Sequence, residues 1–142
     1  MLEANCQAIL TDILKRESAS LLSYTADAFP WTTAKAAPAL DALRGLVANH
    51  AKAVDALGRF LVKQKVATPQ LGAYPSYYTY LNFLSLKHLL PKLIASEQEL
   101  IGQLEQDSPR LSKEAAGPAQ ALLGAKQSGL AELERIQAGL AS

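Results

Sequence analysis

Between Val66 and Thr79 the chain loses every trace of helical periodicity. The twelve residues in that gap, ATPQLGAYPSYY, limit how the segments on either side can pack. The flanking amphipathic patterns, 38–66 and 79–106, each run about 28 residues, or about 42 Å at 1.5 Å per residue. Antiparallel neighbours in a bundle need connections of only about 2–8 residues. An extended twelve-residue segment reaches about 40 Å, enough to run the length of such a bundle. Pro69, Pro75 and Gly72 keep the segment extended or turning. The linkers 29–37 and 107–111 are shorter. A short, long, short pattern of connections predicts an all-α, four-helix bundle with one long crossover between helices 2 and 3. An up-down-up-down bundle with a floppy middle loop is the alternative.

The expected helices are 2–28, 38–66, 79–106 and 110–140, forming a single domain over 1–142. Helix 1 carries Leu2, Cys6, Ile9, Ile13, Glu17, Leu21 and Tyr24 at three- and four-residue steps, and Pro30 ends it. Helix 2 carries Leu43, Val47, His50, Val54, Leu57 and Leu61, with Pro38 in its first turn. In helix 3, Leu86, Leu90, Leu93, Glu97, Leu100 and Leu104 are in register, and Pro91 is expected to kink the helix near Lys87. Helix 4 is interrupted at Gly117-Pro118 and carries its stripe, Leu122 to Leu140, from about Ala119 onward. Lys126 lies within that stripe.

Apolar content of 49 % and charged content of 19 % suit a tightly packed helical protein. Fourteen basic and thirteen acidic residues leave a formal charge of +1 without a basic block, which speaks against nucleic acid. The one cysteine, Cys6, excludes an internal disulfide and a cysteine zinc site, and reads as a small core residue. No apolar run approaches a membrane span. The N-terminal residues lack the basic and apolar regions of a signal peptide, so the expected location is cytoplasmic.

Glu17, His50 and Lys126 interrupt apolar seams and are expected to form a buried polar layer. Glu17 lies about 12 residues before the end of helix 1 and His50 about 12 after the start of helix 2. Both are then about 18 Å from the same bundle end, and their side chains should touch. Glu97 is assigned to a kinked, partly wet position, and His88 to the surface or rim.

With these helix lengths, this crossover position, Glu17 and His50, the chain resembles the ferritin-like family of rubrerythrins and bacterioferritins. The segment YPSYYTYLNFLSLKHLLPKLI is similar to a small bacterial branch of that fold. The resemblance implies a Glu on each of two helices and Glu-x-x-His on each of the other two. Glu17 matches the first glutamate and His50 the histidine of helix 2. Val47 stands where that histidine's glutamate partner belongs. Glu97 is about 10 Å beyond the level at which helix 3 should supply a carboxylate. Helix 4 has no histidine and places Lys126 at the ligand level. This set carries too little negative charge for two metals, so the expected cofactor is none and the expected metal site is none. No catalytic residue is assigned, because no Ser/His/Asp constellation, phosphate loop or paired-carboxylate spacing is present.

The crossover also brings aromatic residues together. Tyr24, Phe29 and Trp31 follow helix 1, and Tyr77, Tyr78, Tyr80 and Phe83 begin helix 3. Tyr74 lies nearby, and only Phe60 is elsewhere. These rings either plug the bundle end and pin the crossover or form a pocket or partner surface, which makes the aromatic end the candidate binding surface; in both cases Trp31 is expected within one aromatic layer of the helix 3 rings. The expected function is a non-catalytic interaction or small-ligand-binding module, forming a homo-oligomer such as a dimer or engaging a protein partner. The rival is a di-metal oxidoreductase or iron-storage protein of ferritin-like descent.

Overall fold

Helix is the only regular structure among the described residues, 2–141, of the computed structural model. Five α-helices follow in order: α1 (Ala4–Ser18), α2 (Leu21–Thr25), α3 (Ala37–Lys63), α4 (Leu86–Asp107) and α5 (Lys113–Ala141). Short 3-10 turns occupy Ala34–Ala36, Ser76–Leu81 and Ser108–Arg110. Among the described residues no helix is long and apolar enough to cross a membrane.

The first expected helix, 2–28, is two helices. Its break has a polar cause. The Ser20 hydroxyl accepts the Ser23 N–H at 3.1 Å, capping α2, and lies 2.8 Å from the Glu17 carbonyl. Serine offers the backbone this alternative to helix continuation. Helix 3 starts seven residues later than expected, at Leu86 rather than Thr79. The Ser85 hydroxyl accepts the His88 N–H at 3.4 Å, and the Leu86 N–H is bound at 2.8 Å by the carbonyl of Trp31. Pro91 lies inside α4 without ending it. The expected interruption at Gly117-Pro118 does not occur either, since α5 runs through both residues. Ala115 and Ala119, flanking that dipeptide, are fully buried, and packing there outweighs the backbone bond lost at Pro118.

The core is two apolar clusters. One gathers Leu2 to Leu14 around α1, Leu57 and Leu61 of α3, Leu104 of α4, and Ala115, Ala119 and Leu122 of α5. The other gathers Leu21 and Leu22 of α2, Leu43 to Val47 of α3, Leu86 to Leu93 of α4, and Leu133 and Ile136 of α5. Each fully buried leucine contributes about 1.5–3 kcal/mol relative to exposure. On every long helix one charged or polar residue falls between the two clusters: Glu17, His50, Glu97 and Lys126.

Candidate functional site between α3 and α5

The Lys126 ammonium lies between two carboxylates. Its Nζ donates to Glu17 Oε1 at 2.5 Å and to Glu97 Oε1 at 2.7 Å. All three side chains are at most 2 % exposed. Glu97 is therefore a full member of the buried layer, not the partly wet residue its place beyond Pro91 suggested. Its signal was present in the sequence: a carboxylate in the seam of one helix matched by a lysine in the seam of another. The second oxygen of each carboxylate, Oε2, is buried without a hydrogen-bond partner. Burial raises the pKa of Glu17, and the neighbouring Lys126 charge only partly opposes it.

His50 joins the layer by a different route from the one expected. The Glu17 carboxylate goes to Lys126, while the His50 ring lies 3.1 Å from the Ser23 hydroxyl. Ser23 donates its one hydroxyl proton to the Glu17 carbonyl at 2.6 Å, so it accepts from His50 Nε2–H. The break between α1 and α2 provides this contact, because it frees the Glu17 carbonyl and swings Ser23 toward α3. Burial, followed by the Lys126 charge, lowers the His50 pKa from 6.5 to about 4. The ring is neutral near pH 7, and its other nitrogen is an acceptor.

A cleft of about 510 Å³ opens onto this layer between α3 and α5. Leu46, Ala42 and Ala53 form one wall, Ala125 and Gly129 the other, and His50, Glu97 and Lys126 line its floor. A Cβ built on Gly45 meets nothing within 4 Å, and one on Gly129 meets only Leu46 Cδ2 at 4.0 Å. The helices are thus open where glycine faces the gap. At the rim, Arg135 donates to Glu132, which neutralises that carboxylate. A second cleft of about 770 Å³ lies on the other side of His50, bounded by α3 and the segment after it, with Val54, Val62, Leu71 and Tyr74 among its lining. Gly129 reads in the sequence only as a weak helix former and neither glycine reads as part of a site, because isolated helical glycines carry no directional information.

The residues do not fit a di-metal centre. Among the described residues no three metal-ligating side chains converge, and an ammonium fills the space between the two carboxylates that approach each other.

The aromatic end divides in two. Tyr24, Tyr74 and Tyr78 pack together, with ring centroids 5.1, 5.4 and 6.3 Å apart, and Tyr77 stands edge-on to Tyr78 at 4.9 Å. Burial raises the Tyr78 phenol to about 12. Trp31 pairs with none of the helix 3 rings, which corrects the expected aromatic layer. Its indole N–H donates instead to the Phe83 carbonyl at 3.0 Å. That edge-on bond holds the indole at the surface, and the Phe83 ring remains 86 % exposed. Tyr80 is exposed as well, and Phe29 lies under the Arg44 guanidinium, 4.7 Å from its ring centroid. His88 is exposed as expected, and Cys6 is buried with its Sγ 3.4 Å from the Ser112 N–H. Comparison with family models, curated proteins and solved structures gives no match to this chain.

Proposed function

We propose that the chain is a non-catalytic, ferritin-like bundle of four long helical segments, with α1 and α2 as the first, and that its α3–α5 cleft binds a small ligand. Support for a crossover comes from the core. The C-terminal parts of α3 and α4 share one cluster and their N-terminal parts share the other. The chain between Lys63 and Leu86 then has to travel from one bundle end to the other. In this reading the layer that holds metals in ferritin-like relatives is recast as an ion pair centred on Lys126.

The observation that carries the binding role is the position of the cleft. It has apolar walls, two glycines that leave it open, and a floor made of the buried polar layer. Concave sites of this size with a few converging polar groups are the usual setting for small-molecule binding. Lys126 is tied to two carboxylates, so its amine is held as a recognition group and is not free to act as a nucleophile. The reading is tested by following the Gly45 and Gly129 amide resonances during separate titrations with 1-butanol, n-butylammonium and n-butyrate. Saturable movement of both amides with at least one probe is expected. Movement with none of the three would contradict the reading.

A further inference from the structure

The open acceptor on the cleft floor specifies the class of ligand. Glu17 and Glu97 share the single ammonium of Lys126, which reaches Oε1 of each and leaves Oε2 of each without a partner. His50 is neutral, the Glu132 charge is met by Arg135, and Arg16, the other cation near Glu17, is bound to Asp107 at 2.7 Å. Glu97 is the carboxylate that lines the cleft. It is 2 % exposed, and its Oε2 has no hydrogen-bond partner. A buried charged acceptor in that state is costly unless a donor reaches it.

We propose, building on the ligand-binding reading above, that the α3–α5 cleft takes a small primary alkylamine in its ammonium form, with the N–H donors on Glu97 Oε2 and the hydrocarbon along the apolar walls. Three properties of the floor select this chemistry. An N–H donor is needed, which excludes quaternary ammonium groups. A single open carboxylate oxygen calls for one ammonium head, not several cationic groups. Leu22, Leu46, Ala42, Ala53 and Ala125 supply a surface for an alkyl chain. A carboxylate ligand would set a second acceptor against the open Glu97 oxygen. A metal ion would find one free carboxylate oxygen where it needs several donors.

Isothermal titration calorimetry with n-butylammonium chloride tests the assignment, using sodium butyrate, tetramethylammonium chloride and 1-butanol as comparators at matched ionic strength. Wild-type protein should bind n-butylammonium at least tenfold more tightly than any comparator. Glu97→Gln keeps the shape and an acceptor for Lys126, so it should remain folded by circular dichroism while losing at least tenfold in affinity. Gly45→Leu fills the cleft from a position with open space around it and should abolish binding. If 1-butanol or butyrate binds as well as the ammonium, or Glu97→Gln leaves the affinity unchanged, the amine assignment fails and the cleft reading survives. Failure of every probe with wild-type protein would overturn both.

Discussion

His50 and Glu17 belong to one buried layer and respond to pH in opposite senses. The folded chain holds His50 neutral down to about pH 4, whereas the unfolded chain protonates it near 6.5. Its contribution to stability is complete above 6.5 and is lost as the pH falls toward 4, because the unfolded state binds more protons in that window. At about 1.4 kcal/mol per pH unit, the whole effect is about 3 kcal/mol. Glu17 is raised above its usual value of 4.5, so its contribution is greatest below that value and is lost as the pH rises. His50→Gln retains a donor for Ser23 and cannot be protonated. Between pH 6.5 and 4.5 the variant should lose about 2–3 kcal/mol less stability than wild type in paired urea melts. Equal losses in the two proteins would show that His50 does not carry the acid response. The sequence made Glu17, His50 and Lys126 visible as polar residues in apolar seams. It could not tell which would pair, because helical spacing sets a residue's level along the bundle, while the partner depends on how each helix is rotated and on the local break after Ser18.

At the scale of elements, periodicity located the long helices, and side-chain chemistry displaced their ends. Ser20 and Ser85 cut the expected first and third helices short, each by capping a new start. Pro118, which read as an interruption, and Pro91, which read as a kink, both lie inside helices with buried apolar faces. The end of α3 is a further case. The Val66 N–H reaches the Leu61 carbonyl at 3.0 Å and the Lys65 N–H reaches Val62 at 2.9 Å, the paired bonds of a Schellman motif. The residue that turns the chain is Lys65, at φ 61°. Glycine is the usual occupant, since a side chain in the left-handed region costs about 1–2 kcal/mol. Lys65 is exposed and makes no ion pair among the described residues. Lys65→Gly should therefore stabilise the protein by about 0.5–1 kcal/mol after the added freedom of glycine in the unfolded chain is subtracted. Thermal unfolding checks this, and a lowered melting temperature would mean that the turn is not strained.

For the whole molecule, the question is why a core of leucines is divided by two glutamates, a lysine and a histidine. Burying an ion triplet costs several kcal/mol of desolvation per charge, and mutual attraction offsets this only where the remaining oxygens are satisfied. Here two carboxylate oxygens are not. The layer is therefore a poor device for stability, and its position beneath an open cleft is consistent with the proposed use, recognition of a ligand. The most direct measurement is urea unfolding of the triple variant Glu17→Met/Glu97→Leu/Lys126→Met, which replaces the triplet by apolar groups of similar size. The account predicts a stability equal to wild type or higher by about 1–4 kcal/mol, the range seen when buried ion groups are exchanged for well-packed hydrophobic ones. A loss of about 3 kcal/mol or more would contradict it, because the layer would then hold the fold together and its place under the cleft would need no ligand to explain it.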